Sequence, residues 1–391
     1  MNPQNTAISL ALLGAIFGLA LCHSHPNTAV KITTISLFSA IGVVVGSLVT
    51  PLFNSATANI CNLQKLLRIL TQNNATNATN ATNATNATNA TNTNNANSYI
   101  VPQLNLSGDH VDIQLTSTYV QQVLCPIVSE IQQAVVSTTT TTSTIFIGIV
   151  GGSGSGKTTL SQLLVRSLAG LNIPSVTISM DNYHYTNQYL DNTLHSYRTN
   201  EQGIPIKLRK VKGRSETINS KSMLDDLKRV AAMHTMETKE TQLLLPVYDR
   251  ALHDPVSNRL VVPNTTRVVL VEGLHLLRDE KSKEESKSTE EYWIEIRNMF
   301  TSLYYLRFDD YETQKERVMQ RRIRGGISRE WASPRYDQID AVVGNEIEKE
   351  CKRAMKNRNE KSIVVLSLCE DENGKVQLER KEVYDGGLKV V

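Results

Sequence analysis

The sequence predicts an α/β fold with a doubly wound, mostly parallel sheet, preceded by apolar N-terminal segments and a disordered linker. Three observations carry that expectation. Apolar, β-branched runs recur at residues 145–150, 175–180, 267–271 and 303–308, and helical patterns follow the first and the last of them. The run at 145–150 is continuous, the mark of a strand buried on both faces, and the others read as further strands. Charge is unevenly spread: residues 1–150 hold only Lys31, Lys65, Arg68, Asp109, Asp112 and Glu130, whereas 38 basic and 35 acidic side chains lie beyond them. A triplet repeat lies between the two regimes.

Residues 1–60 read as a membrane anchor or targeting region. Residues 8–21 form a charge-free stretch of 14, and residues 32–53 one of 22. Spanning a bilayer takes about 20 apolar residues, so residues 32–53 are the transmembrane candidate. Three arrangements fit the pair: a single anchor, a helical hairpin, or a targeting peptide followed by an anchor. The first stretch lacks the basic start of a secretory signal and the arginines of a transit peptide. Lys65 and Arg68, beyond the second stretch, favour a cytosolic side for the remainder of the chain.

Residues 61–143 read as a linker. The triplet Asn-Ala-Thr occurs six times in a row from Asn74 to Thr91. It offers too little apolar surface to offset its ordering entropy. Each triplet is also an N-glycosylation acceptor pattern, which matters only in a secretory lumen. A helix is expected near residues 119–136. Composition excludes some roles: a net charge of +3 makes no case for a nucleic-acid partner. The five cysteines, Cys22, Cys61, Cys125, Cys351 and Cys369, stand at no metal-ligand or CxxC spacing, as suits a reducing compartment.

From Thr144 the chain changes character, and residues 144–391 read as the folded domain. The strand at 145–150 runs directly into Gly151-Gly152-Ser153-Gly154-Ser155-Gly156-Lys157-Thr158-Thr159, followed by Leu160, Leu163, Leu164 and Leu168 at helical spacing. This is GxxxxGKT between a strand and a helix, the context that a phosphate-binding P-loop needs. Glycines let the backbone wrap its N–H groups around a polyphosphate, and the new helix adds its positive N-terminus. Lys157 is placed to reach the β- and γ-phosphates of ATP, and the Thr158 hydroxyl to coordinate Mg²⁺. The domain is therefore expected to be a P-loop NTPase fold using ATP and Mg²⁺.

Two carboxylates stand at strand ends. Glu272 closes the run at 267–271 beside Gly273, at the edge where α/β sheets bind ligands, and is the candidate for orienting Mg²⁺ or its water. Asp181 comes directly after the strand at 175–180. Phosphoryl transfer to an alcohol needs a carboxylate near the γ-phosphate to take or orient the hydroxyl proton, and Asp181 stands at such an edge.

These motifs resemble those of the phosphoribulokinase/uridine kinase family of P-loop kinases over roughly residues 144–368. GGSGSGKTTL, SMDNYHY, PVYDR followed by LHDPV, and VVLVEGLHLL stand in that family's order. The sequence is more similar still to the branch of fructose- and pantothenate-kinase-like proteins that read MDGFH, KGxPETFD, PxYDR and VEGNYLL. The resemblance implies an ATP-dependent small-molecule kinase in which Asp181 is the catalytic base beside Lys157. It places Tyr183, Tyr248, Asp249 and His253 on the acceptor side, the last three at the spacing by which uridine kinases hold the nucleoside base. Ser215 and Asn219 replace the proline and final aspartate of KGxPETFD, and residues 186–210 are longer and more polar than in that branch. Both departures fall on the acceptor side.

A helix is expected from Asp309 to Arg324, carrying Arg317, Arg321, Arg322 and Arg324, before Gly325-Gly326 and a second helical stretch from Ser328. Arginines on a glycine-hinged segment can close over ATP and neutralise charge in a loose transition state. By resemblance this is the lid, with Arg321 catalytic and Arg322 on the nucleotide. Asp279 to Glu291 reads as a charged loop insertion. The expected function is phosphoryl transfer from ATP·Mg²⁺ to a hydroxyl of a nucleoside, a pantothenate-like compound or a sugar. The expected location is a membrane, with the domain facing the cytosol or another ATP-containing compartment. A P-loop ATPase with a regulatory or mechanical role is the alternative. A tethered binding protein with a vestigial site sits poorly with the intact Lys157, Thr158, Asp181 and Glu272.

Overall fold

The computed structural model describes residues 65–71, 98–106, 109–137, 143–233, 241–278, 287–356, 362–371, 375–385 and 388–389. The expectations for residues 8–21, 32–53 and the repeat from Asn74 to Thr91 lie outside these segments. Among the described residues no helix is long and apolar enough to cross a membrane. The described segments all fall within one unit, Asn62–Val391.

That unit starts well before residue 144. Strands β1 (Ser98–Leu106) and β2 (Asp109–Thr116) form an antiparallel hairpin, and residues 117–137 are helical with a π-helical turn at Val120–Leu124. Pro126 accounts for that turn: it has no N–H to donate, and its ring crowds the carbonyl four residues back. The expectation of a linker through residue 143 is corrected here, because Val101, Leu104, Leu115, Val120, Leu124 and Ile131 are all buried. Their apolar surface repays the ordering that the repeat cannot.

The chain continues through β3 (Ile145–Gly151), β4 (Ser175–Ser179), the short pair β5 (Leu194–Thr199) and β6 (Pro205–Lys207), and the hairpin of β7 (Gln242–Asp249) and β8 (Asp254–Pro263). It ends with β9 (Val268–Gly273), β10 (Ser302–Phe308), β11 (Ile363–Glu370), β12 (Val376–Asp385) and β13 (Leu388–Lys389). The main sheet has the order β13-β12-β11-β10-β3-β9-β4. The pairs among β11, β10, β3, β9 and β4 are parallel, and β12 and β13 join antiparallel at one edge. The mostly parallel α/β sheet read from the sequence is thus present.

Alternation along β3 and β9 sorts side chains between two cores. Phe146, Val150, Val269 and Val271 enter one, with Trp293, Phe300 and Ile347. Ile145, Ile147, Ile149, Val268 and Leu270 enter the other, with Leu160, Leu164 and the N-terminal Val101, Leu124 and Ile131. Gly148 in β3 is required by the first core: a Cβ there would lie 2.4 Å from Leu303 Cδ2 and 3.1 Å from Phe300 Cδ2. Residues 287–291, expected in a loop, instead open the helix Lys287–Met299.

The N-terminal segments are pinned as well as packed. A Cβ at Gly170 would lie 2.4 Å from Ile69 Cγ2, so residues 65–71 sit directly on the P-loop helix. The Glu130 carboxylate accepts from Ser302 Oγ at 2.6 Å and from Tyr304 Oη at 2.5 Å. Tyr304 is buried, so Glu130→Ala strands its hydroxyl, at a cost of about 1–3 kcal/mol. We expect the melting temperature to fall by several degrees, and Tyr304→Phe to recover most of the loss. An unchanged melting curve for Glu130→Ala would show that the N-terminal segments are not docked this way.

The chain leaves β3, runs out to β4, returns to β9 between them, and then crosses to β10 on the other side. The connections from β3 and from β9 therefore diverge at the carboxyl end of β3, which opens the crevice where such sheets bind ligands. Register brings Glu272 opposite both Ile149 and Ser179, so Gly151, Glu272 and Asp181 end at the same edge.

Candidate active site

The P-loop forms from the expected residues. Gly151, Gly152, Ser153, Gly154, Ser155 and Gly156 join β3 to the helix Lys157–Gly170, whose first turn carries Lys157, Thr158 and Thr159. Gly154 and Gly156 have φ of 81° and 94°, the left-handed region that favours glycine. A Cβ at Gly154 would also lie 2.8 Å from Val318 Cγ2. At Gly156 a Cβ would meet nothing within 4 Å, so the loop is open on that side.

Two side chains of the helix Tyr311–Arg324 hold the loop from outside. Gln314 Nε2 donates to the Ser153 carbonyl at 2.7 Å, and Arg317 Nε to the Gly154 carbonyl at 3.1 Å. Arg317 also pairs with Glu370 at the end of β11. With these carbonyls engaged outward, the loop is set to offer N–H groups to an anion. Lys157 Nζ donates to the Gly152 carbonyl at 2.9 Å. Burial lowers its pKa, the carboxylates of Glu272 and Asp181 act to raise it, and Arg321 and Arg250 add like charge. Those five groups therefore share one electrostatic environment.

The fit to Mg²⁺ rests on Thr158 and Glu272. The Thr158 hydroxyl lies 3.2 and 3.1 Å from the two Glu272 carboxylate oxygens, and Glu272 is only 5% exposed. A hydroxyl beside a buried carboxylate is a hard-oxygen donor set suited to this ion, which keeps most of its shell for water and phosphate. Among the described residues no group of three or more His, Cys, Asp or Glu side chains could hold a metal. A protein contribution of one or two oxygens is what such a nucleotide-borne ion requires.

Asp181 lies at the opening of the short 3₁₀ turn Met180–Tyr183. Arg250 Nη2 donates to its Oδ2 at 3.0 Å, and His184 Nε2 lies 3.8 Å from Oδ1. Burial acts to raise its pKa, but Arg250, His184, Lys157 and Arg321 outweigh that and hold the carboxyl below its ordinary value. Arg250, to which the sequence motifs assign no role, is thus its direct partner. Behind the pair stands the Tyr248 ring, with Arg250 Cζ at 5.3 Å, Lys212 Nζ at 5.0 Å and the His184 ring at 5.6 Å. Asn182 Oδ1 accepts from the Tyr248 backbone N–H at 2.9 Å and fixes the start of this hairpin tip.

Other predicted acceptor residues have different work. Tyr183 is buried in the core, and its hydroxyl donates to Asp226 Oδ2 at 3.2 Å on the helix Ser220–Ala232. Asp249 Oδ1 accepts from the Ala251 and Leu252 amides, both at 2.9 Å, and so shapes the β7–β8 turn. His253 is exposed at φ 52°, and its carbonyl rather than its ring faces inward, accepting from Lys212 Nζ at 2.7 Å. Of the four predicted, Tyr248 alone presents its side chain to the Asp181 cluster.

The segment expected to be the lid is a helical pair turned at Gly325–Gly326, with the helix Arg329–Arg335 running through a π turn into Ala341–Lys356. Arg322 is not placed for nucleotide: it donates to the Ala332 carbonyl at 3.0 Å and to Asp340 Oδ2 at 2.7 Å, bracing the two arms. Bidentate Arg329–Glu316 and Lys315–Asp337 pairs add to that brace. Arg321, by contrast, is exposed and within electrostatic reach of Asp181 and Arg250.

Residues 146–287 match the model of the phosphoribulokinase/uridine kinase family. Over that segment the chain is similar to this kinase family. The match takes in the P-loop, Asp181, the β7–β8 hairpin and Glu272, and ends before the lid. A Schizosaccharomyces pombe protein provisionally named a uridine kinase is 26% identical over 210 residues, 52% of this chain and 78% of its own length. A Saccharomyces cerevisiae protein named as the ATP-dependent kinase YFH7 is 28% identical over 116 residues, 29% of this chain but 31% of its own. The solved structure of the YGR205w protein aligns with a TM-score of 0.50 at 13% identity, covering 69% of this chain and 99% of that one. At that identity the likeness speaks for the fold alone.

Proposed function

We propose that the domain transfers the γ-phosphoryl group of ATP to a hydroxyl of a small molecule, the acceptor standing in the cleft between Asp181 and the Tyr248 hairpin. The observation that carries this reading is the convergence of Lys157, the Thr158–Glu272 pair and an ionised Asp181 at one sheet edge. The loop and Lys157 hold the phosphates, and Thr158 and Glu272 would hold Mg²⁺, which neutralises phosphate charge when bound. Asp181, held by Arg250, receives the acceptor hydroxyl, and exposed Arg321 supplies charge from the lid. The kinase names of the relatives and the resemblance to the fructose- and pantothenate-kinase-like branch support the same chemistry. ADP formation by the full chain, measured with and without nucleosides, sugars and pantothenate-like alcohols, tests it. Acceptor-dependent turnover is expected; a rate that no acceptor changes would favour the ATPase alternative.

We further propose that residues 32–53 anchor the chain in a membrane with this domain in an ATP-containing compartment. The support is their 22 residues without a charge. The full chain is then expected in the membrane pellet after carbonate extraction, and its release into the supernatant would remove the anchor.

A further inference from the structure

The acceptor cleft is more basic than a neutral alcohol needs. Lys212 is buried, and its Nζ donates to Asn187 Oδ1 at 2.8 Å and to the His253 carbonyl at 2.7 Å, over the Tyr248 ring. Neither partner carries charge. Arg335 reaches in from the lid side, its Nη2 donating to the Lys212 carbonyl at 3.0 Å. Arg209, three residues before Lys212 on the 3₁₀ turn Leu208–Val211, bears on Lys212, Tyr248 and Arg335 alike. Its Nη1 is buried without a hydrogen-bond partner, and a buried donor in that state costs stability unless something accepts from it.

The nearby carboxylates balance this charge only in part, Asp254 being the one that acts on Lys212 without an arginine of its own. Asp181 is taken by Arg250, Asp340 by Arg322, and Asp254 Oδ1 accepts the Asn187 backbone N–H at 2.8 Å. Arg209, Lys212 and Arg335 keep a positive excess around the Tyr248 ring, over which Arg250 also lies. Lys212 is buried, Arg209 half-buried and Arg335 exposed, so the cluster runs from the interior to the surface, where an anion can reach it.

We propose that the acceptor carries an anionic group, a carboxylate or a phosphate, seated among Arg209, Lys212 and Arg335, with its hydroxyl presented to Asp181. This rests on the kinase reading and narrows it: hydroxy acids and sugar phosphates fit, and neutral nucleosides and free sugars do not. Burial, together with the neighbouring Arg209, brings the Lys212 pKa down to about 8, a strain that a bound anion relieves. Arg209 contributes a planar fork, which suits either anion, and Lys212 a point charge.

The experiment uses the full chain saturated with AMP-PNP and Mg²⁺, so that the P-loop does not compete for anions. Thermal shifts are titrated with two matched pairs, glycerate against glycerol and ribose 5-phosphate against ribose. At least one anion is expected to stabilise the protein and its neutral partner not to. Arg209→Gln should weaken that anion tenfold or more and Arg209→Lys less, with AMP-PNP binding in the same samples reporting a folded protein. The pair that responds tells a carboxylate from a phosphate. Equal shifts by a neutral partner, no shift by either anion, or full anion affinity in folded Arg209→Gln each overturn the proposal. Anion binding without ADP formation leaves the anion site standing and removes the phosphoryl-transfer reading instead.

Discussion

Replacing Lys157 by alanine is expected to lower ATP turnover by at least two orders of magnitude while the protein remains folded. The ammonium acts on phosphate charge, and one charge-assisted contact of that kind is worth ~3 kcal/mol or more in the transition state. Its own structural share is smaller. Lys157 makes a single hydrogen bond, to the Gly152 carbonyl at 2.9 Å, and sits outside both apolar cores. A bond of that kind contributes about 1 kcal/mol. Losing the cation also leaves Glu272 and Asp181 with less positive charge, although Arg250 and Arg321 remain near. Turnover and a melting curve on the same preparation separate the two effects. Turnover within a few-fold of wild type would remove the P-loop from the chemistry altogether.

How much of the fold and site the sequence disclosed depended on how local each signal was. The unbroken run at 145–150, the loop and the leucines of the next helix are contiguous, so strand, phosphate site and helix could be read in one pass. The hairpin at 98–116 escaped because its ladder is irregular. Register shifts between Val101 and Leu104, with Gln103 at φ 50°, and so buried Val101 and Leu104 stand three apart rather than two. A reading that looks for alternation misses such a strand. The acceptor side escaped for another reason. Arg209, Lys212, Arg250 and Arg335 come from three separate segments, and only the fold sets them around Tyr248. Tyr183 and Asp249 had the right residue types at the right spacing. Their side chains are engaged by Asp226 and by the hairpin-turn amides, which spacing alone does not reveal. Arg322 differs from Arg321 by one step around a helix, enough to turn it onto Asp340.

Asp181→Asn is expected to separate transfer from nucleotide binding. The carboxylate should accept or orient the acceptor's proton, and general-base assistance typically contributes ~10²–10⁴-fold, so acceptor-dependent turnover should fall by that order. Nucleotide affinity should change little, since the loop, Lys157 and the Thr158–Glu272 pair are untouched. The neutral amide keeps the size of the side chain and can still accept from Arg250, whose guanidinium is about half exposed, so the fold should survive the exchange. Acidity provides a second readout. Burial would raise the Asp181 pKa, but Arg250, His184, Lys157 and Arg321 together depress it in the folded state. A depressed carboxyl contributes stability that is present above its unfolded pKa and is lost as pH falls through the folded value. It also stays ionised across the neutral range, so Asp181 itself should produce no acid limb in kcat/KM above the ordinary carboxylate range. The Asn variant should therefore show reduced transfer at every pH down to that range rather than a displaced limb. Should Asp181 also help hold Mg²⁺, ATP affinity would fall in parallel and added metal would restore it. Transfer left intact in the variant, with a confirmed acceptor, would take the base role away from Asp181; Glu272 would then be the remaining carboxylate at that edge, because Asp249 is committed to its turn.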